Sequence, residues 1–245
     1  MMEKAAKEKL LNINQAFYDQ YAASFSATRG RIQPGVRRLI KKIDRGASIL
    51  DVGCGNGTLA QALAASGLSG RYLGLDMSDG LLAEADSGLE NAEKGDFQFR
   101  QMYLSDHEWF EGIPGAPYDW LVCFAVLHHL PGKSLREQIV KNFARLVTPE
   151  SRVAVSVWQW QNSPRLQKRV HPWSEVGLGV ESLDRGDVLM DWRAGETIGL
   201  RYVHTFDEDE LSTLAQTAGF QVQKTFYSDG KPGNLALYQV WRLAS

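Results

Sequence analysis

Residues 49–59 read Ile-Leu-Asp-Val-Gly-Cys-Gly-Asn-Gly-Thr-Leu, a short apolar run delivered straight into glycines at 53, 55 and 57. The run reads as a strand, and Thr58–Ser66 after it reads as a helix. Glycines in a strand-to-helix turn free the backbone to bend and to approach a ligand with no side chain between. That combination points to an α/β sheet with its ligand at the carboxyl edge of the strands.

The rest of the chain repeats the alternation. Strands are expected at Ser48–Val52, Arg71–Asp76, Phe97–Tyr103, Tyr118–Val126, Arg152–Trp158, Phe220–Tyr227 and Asn234–Arg242. Tyr118–Val126 is apolar nearly throughout, as suits a strand covered on both faces. Between them, Ser78 can cap a helix running through Asp86, and Ser134 with Glu137 makes a capping box for a helix ending near Val147. A further helix is expected at Asp209–Ala218, closed by Gly219. Residues 3–24 and Pro34–Lys42 read as N-terminal helices, the second with proline in its first turn. The alternation predicts an open, mostly parallel seven-stranded sheet with helices on both faces, and the turn Ser228-Asp-Gly-Lys-Pro-Gly makes the last strand antiparallel. Residues 159–206 break the rhythm and, with Trp158, hold four of the seven tryptophans. This stretch is expected to be an inserted lid over the carboxyl ends of the strands. The 245 residues thus read as one domain: N-terminal helices in 1–46, a ligand-binding core in 47–158, the insertion in 159–206, and a helix with a β-hairpin in 207–245.

A formal net charge of −2 excludes a globally basic nucleic-acid binder. The first 46 residues nevertheless carry ten Lys/Arg against four Asp/Glu, which is either a solvated helical face or a patch for an anionic substrate. Cys54 and Cys123 are the only cysteines and lack metal-ligand neighbours, so neither a disulfide nor a metal is expected and a reducing cytoplasm is. The N-terminus has no signal-peptide core, and no run approaches the roughly 18 apolar residues of a membrane span.

The glycine spacing then narrows the ligand. A dinucleotide fold asks for Gly-x-Gly-x-x-Gly, whereas this chain has Gly53-x-Gly55-x-Gly57 preceded by Asp51. A carboxylate there repels a pyrophosphate but accepts hydrogen bonds from an ammonium group. Nineteen residues beyond Gly57, Asp76 ends the second strand, where an acidic side chain can accept both hydroxyls of a ribose. Ribose and ammonium without phosphate describe S-adenosylmethionine. Over residues 45–242 the chain resembles the Rossmann-like class I S-adenosylmethionine-dependent methyltransferases, whose first motif is Asp-x-Gly-x-Gly-x-Gly. The resemblance implies a cofactor site built from Asp51, Gly53, Cys54, Gly55, Asn56, Gly57, Asp76, Met77, Tyr103, Leu104, Phe124 and Ala125. Many members carry an acidic adenine-reading residue where this chain has Met102-Tyr103-Leu104, so Tyr103 is expected to stack or donate instead.

The acceptor is narrowed by elimination. No Asn/Asp-Pro-Pro-Tyr/Phe tetrapeptide for amino acceptors follows the fourth strand, and neither cysteine suits an activated thiol. Oxygen acceptors remain, with His128 and His129 at the rim. Three patches, Tyr18 to Arg29, Ala125-Val-Leu-His-His-Leu130 and Arg201-Tyr-Val-His-Thr-Phe206, resemble the tRNA methyltransferases that esterify 5-carboxymethyluridine at the wobble position. The resemblance implies Arg29, His129 and Arg201 as catalytic residues, and His128, Tyr202, His204, Trp158 and Arg31 as substrate contacts. Trp158, Trp160 and Trp192 could stack a splayed nucleotide, while Arg165, Lys168 and Arg169 could meet phosphates. It also implies tRNA as a partner and, by analogy with eukaryotic members, a small activator subunit. O-methylation of a small carboxylic acid or phenol, and a catalytically silent cofactor-binding subunit, stay open as alternatives.

Overall fold

The computed structural model describes residues 2–27, 30–89, 95–194 and 197–244. Its element order is α1 (Lys4–Ala27), α2 (Pro34–Ile40), β1 (Ile49–Val52), α3 (Thr58–Ala65), β2 (Arg71–Asp76), α4 (Asp79–Ser87) and β3 (Asp96–Gln101). There follow β4 (Tyr118–Phe124), α5 (Lys133–Phe143), β5 (Val147–Trp158), α6 (Pro164–Gln167), β6 (Val170–His171), β7 (Asp187–Ala194), β8 (Thr197–His204), α7 (Glu208–Thr217), β9 (Phe220–Ser228) and β10 (Ala236–Leu243).

Seven strands form one sheet in the order β3-β2-β1-β4-β5-β10-β9. Strands β1 to β5 run parallel, and β10 runs antiparallel to both β5 and β9. All four residues of β1 are buried, and their alternation serves two cores. Leu50 and Val52 join α5 and α7 residues such as Ile139, Phe143 and Leu211 on one face. Ile49 joins Val36 and Leu39 of α2 and Leu59 and Leu63 of α3 on the other. Strand order reverses between β1 and β4, so the ends of these two strands flank the crevice where open α/β sheets hold ligands. Among the described residues no helix is long and apolar enough to cross a membrane.

Three features differ from the sequence expectation. The β5 strand starts at Val147, five residues before the expected Arg152. Helix α5 has no Ser134 capping box, for its N-cap is Gly132 without a side-chain hydrogen bond. Instead, Asp184 from the insertion accepts the Lys133 amide at 2.8 Å, supplying from a distance the acceptor that local pattern assigned to serine. The insertion is also no loop, because β6, β7 and β8 form an antiparallel sheet of their own.

That small sheet is fastened on two sides. Phe17 and Tyr21 of α1 hold rings 5.7 Å from Trp192. The buried Asn14 amide accepts from the Tyr202 backbone N–H at 2.8 Å and donates to the carbonyls of His129, at 2.9 Å, and Tyr202, at 3.2 Å. Toward the core, buried Arg136 of α5 lies 3.5 Å from Asp184 and 3.6 Å from Glu210. Replacing Asn14 by Ala would orphan a buried backbone N–H, which costs about 1–3 kcal/mol. For a chain of this size Asn14→Ala should lower Tm by roughly 3–10 °C in calorimetry, and an unchanged Tm would overturn the clamp.

Candidate functional site

The glycine turn is built by hydrogen bonds between strand ends. The amides of Gly53 and Cys54 both donate to the Leu75 carbonyl, at 2.7 and 2.9 Å, tying the end of β1 to β2. Gly53, Gly55 and Gly57 all have positive φ, at 80°, 56° and 72°, a region L side chains enter at a cost. Their reasons differ. A Cβ on Gly53 would lie 2.2 Å from Val126 and one on Gly57 2.7 Å from Ala85, whereas one on Gly55 would meet no protein atom within 4 Å. Gly55 faces the cavity. Its amide donates to Asp76 Oδ2 at 2.9 Å, while Ser78 donates its amide to Oδ1 at 3.0 Å.

Around this turn opens a cavity of about 510 Å³, within the range of small-molecule sites. Every cofactor residue expected from sequence lines it except Gly57, which serves as the N-cap of α3 and packs on α4. Asp51 sits at its base, buried, with the Tyr72 hydroxyl donating to Oδ2. Burial raises the Asp51 pKa to about 7; the Tyr72 bond opposes this and the neighbouring Asp76 charge adds to it. Burial likewise raises Asp76, against the amides that hold it ionised. A carboxylate buried in this way favours pairing with a cation, which offsets its desolvation.

The opposite wall is made by the residues after β4 and by the insertion. Ala125 has φ 59° without being glycine, and its amide is held by the Ser156 carbonyl at 3.0 Å and hydroxyl at 3.1 Å. This strained corner turns the chain into the His128–His129 pair, whose ring centroids are 4.3 Å apart. His128 is buried and its Nδ1 accepts the Trp158 amide at 3.2 Å. His129 donates from Nδ1 to the Tyr202 carbonyl at 3.2 Å, with the Tyr18 ring edge-on at 5.9 Å. Arg201 is 3% exposed, with its guanidinium 5.0 Å from the Trp158 ring centre and 5.5 Å from that of Phe17.

His128, His129, Trp158, Arg31 and Arg201 line the cavity together. Tyr202 and His204 do not. The Tyr202 hydroxyl donates to Asp187 at 2.8 Å, and His204 bridges Asp187 at 2.7 Å and Glu210 at 2.8 Å, so both belong to the buried junction between insertion and core. The alternation of β8 explains this, since neighbours on a strand face opposite ways and Arg201 takes the cavity side. Trp160 and Trp192 are also absent from the lining; Trp160 donates to Thr205 at 3.0 Å and Trp192 is buried under α1. Arg29 lies outside the described residues. Sequence reasoning missed Asn14, Ser156, Asp229 and Tyr238. Tyr238 donates to Asp229 at 2.6 Å on the cavity wall, a pairing from adjacent hairpin positions that no motif signals.

A model of the methyltransferase-domain family matches residues 25–225, more than three quarters of the chain. The chain belongs to the S-adenosylmethionine-dependent methyltransferases. It is similar to the ubiquinone biosynthesis O-methyltransferase of Sodalis glossinidius, with 38% identity over 56% of this chain and 48% of that protein. It is similar to the tRNA (carboxymethyluridine(34)-5-O)-methyltransferase of Schizosaccharomyces pombe, with 26% identity over 86% of this chain and 89% of that one. A solved methyltransferase structure from Methanosarcina mazei shares the fold at TM-score 0.64 and 20% identity, over 87% of this chain and 98% of that one.

The residues present fit S-adenosylmethionine. Asp51 offers a buried carboxylate suited to its ammonium group, Asp76 the acceptor for ribose hydroxyls, and Gly55 a backbone surface that a side chain would obstruct. The cofactor supplies an electrophilic methyl group on a sulfonium.

Two outcomes follow. Binding a cation at Asp51 requires the ionised form, so cofactor binding releases a proton below pH 7. A pKa near 7 makes the dissociation constant about tenfold weaker at pH 6 than at pH 8, and calorimetry with Asp51→Asn should show a flat profile over that range. Gly55→Ala should cost the fold only about 1–2 kcal/mol for its positive φ, yet weaken cofactor binding more than tenfold. Gly53→Ala should instead destabilise the fold strongly, because its Cβ strikes Val126; the two Tm values check the contrast.

Proposed function

We propose that this methyltransferase acts on an oxygen acceptor, the carboxylate of a 5-carboxymethyluridine at the wobble position of tRNA. One observation carries the reading: Arg201, a buried cation between the Phe17 and Trp158 rings, lines the same cavity as the cofactor carboxylates and His129. A carboxylate is already ionised at neutral pH, so its methylation needs no strong base. What it needs is positioning in line with the methyl group and exclusion of water. An arginine gripping both carboxylate oxygens does this, and aromatic rings on either side keep the guanidinium oriented and partly dry. His129, when doubly protonated, adds a second donor at Nε2. The Schizosaccharomyces pombe relative, whose name states that activity, aligns over most of both chains, which supports the same reading. Arg29, implied by resemblance, remains part of the proposal as a second clamp.

A hydroxyl acceptor is the second reading, and His129 is what favours it. With Nδ1 donating to the Tyr202 carbonyl, a neutral His129 ring carries its lone pair at Nε2, suited to receive a phenol proton. The ubiquinone-pathway relative bears an O-methyltransferase name, although this chain spans only about half of it.

The test is labelled methyl donor with tRNA from cells lacking the endogenous esterification, read by nucleoside mass spectrometry. A labelled methyl ester is expected; unlabelled tRNA beside a labelled metabolite extract would move the assignment to the second reading. Arg201→Met should lower kcat/KM by about 100-fold or more, as loss of a charged clamp does, with the cofactor dissociation constant unchanged. If Arg201 serves only as a structural tie, the variant will lose Tm while turnover per folded molecule persists.

A further inference from the structure

One surface next to the cavity is unlike the rest of this slightly acidic protein. Helix α2 presents Arg37 and Arg38 outward, with Lys41 and Lys42 exposed just beyond its end, while Val36 and Leu39 are buried in the core. Edge strand β9 lies against the helix and adds Lys224 and Phe226 on the same face. The Arg38 guanidinium stands 4.5 Å from the Phe226 ring centre and the Lys224 ammonium 5.8 Å from it. None of Arg38, Lys42 and Lys224 forms an ion pair among the described residues. The crowding is felt at Lys224, whose pKa is lowered by the charge of Arg38 and then of Lys42. Like charges gathered without a counter-charge cost free energy in the isolated chain, and an anion relieves it.

This cluster shares a wall with the site. The Phe226 ring stacks on Tyr238, with centroids 5.0 Å apart and planes 7° apart. Tyr238 donates to Asp229, and Asp229 accepts the Gly35 amide of α2 at 2.9 Å. Tyr238, Asp229 and Val36 all line the cavity. An anion on Arg38 and Lys224 therefore sits one stacked ring away from the acceptor end. Repeated cations around an aromatic ring suit a polyphosphate backbone better than one small acid. An anionic membrane fits less well. Among the described residues the exposed large apolar side chains are Val170, Val180, Ile198 and Tyr227, and Tyr227 alternates to the other face of β9.

We infer that the α2–β9 face, through Arg38, Lys42 and Lys224, binds the phosphate backbone of a structured RNA whose target nucleotide enters the adjacent cavity. The inference rests on the tRNA reading above and extends it to a docking surface that joins α2, among the N-terminal helices, to edge strand β9. Phosphate contacts here set affinity and orientation, while the cavity selects the nucleotide.

The experiment uses the full chain with Arg38, Lys42 and Lys224 all changed to Gln, beside a control with Lys4, Lys7 and Lys9 changed to Gln. Both alter net charge equally and both act on partly or fully exposed side chains. Fluorescence anisotropy with bulk tRNA, from low to physiological salt, gives affinity and its salt slope; calorimetry gives the cofactor dissociation constant. The α2–β9 variant should lose about tenfold or more in tRNA affinity and about two units of log–log salt slope, with cofactor binding unchanged. The control should keep the wild-type slope. Methyl transfer to tRNA should show a raised KM with kcat nearly retained. If the wild type methylates tRNA but the α2–β9 variant binds it with wild-type affinity and slope, the docking surface is overturned and the substrate reading stands. If the variant loses a wild-type salt slope yet no methyl ester forms on tRNA, the surface stands and the substrate reading falls. Wild-type protein that ignores tRNA, or that binds only phosphatidylserine vesicles through these cations, overturns both.

Discussion

A carboxylate held inside the sheet against its own preference organises this molecule. Asp51 is buried at the crevice between β1 and β4, is raised toward neutrality by desolvation, and keeps the Tyr72 hydroxyl as its hydrogen-bond donor. This raised pKa is a stability debt that grows as pH rises from the ordinary carboxylate value of 3.8 and is complete above about 7, because the unfolded chain ionises the same group first. An ammonium group paired with Asp51 would remove that debt. The surrounding geometry, from the paired amides on the Leu75 carbonyl to the Gly55–Asp76 bond, holds Asp51 and Asp76 in register along the cavity.

The cofactor half was legible in the sequence because its determinants are local. Asp51, the three glycines and Asp76 lie within one strand-turn-helix-strand unit, where spacing alone fixes what can face what. Arg71–Asp76 was found to the residue for the same reason. The acceptor half was only partly legible. Arg201 and His129 were brought to the cavity, yet their neighbours Tyr202 and His204 turned into the Asp187–Glu210 junction, a distinction set by which face of β8 meets the core. The small sheet in the insertion has no clear sequence signal, although β7 and β8 are eight residues each, because Asp187, Asp191 and Arg193 interrupt the apolar pattern of β7 and Gly199 that of β8. The misplaced capping box failed differently: Ser134 had the right sequence neighbours, but Asp184, distant in sequence, already satisfied the helix start.

The two walls of the cavity consequently obey different rules. The cofactor wall is backbone and carboxylate, rigid because several strand ends share hydrogen bonds. The opposite wall is assembled from α1, the strained Ala125 corner, the insertion and the terminal hairpin, and it carries Arg201, His128 and His129. Such a division lets the methyl donor stay constant while the receiving side is rebuilt, which accords with relatives named for both tRNA and small-molecule acceptors.

The Asn14 clamp has a consequence for how the protein is made. Asn14 is synthesised well before its partners, for Tyr202 lies 188 positions later and His129 115 positions later. Loop closure over such separations is slow to be rewarded, and the first helix leaves the ribosome long before the strand that receives it exists. The carboxylate side of the cavity, by contrast, draws Asp51, Gly53, Gly55 and Asp76 from within 26 consecutive residues. Until the insertion arrives, the side of α1 that packs on Trp192 through Phe17 and Tyr21 stays uncovered.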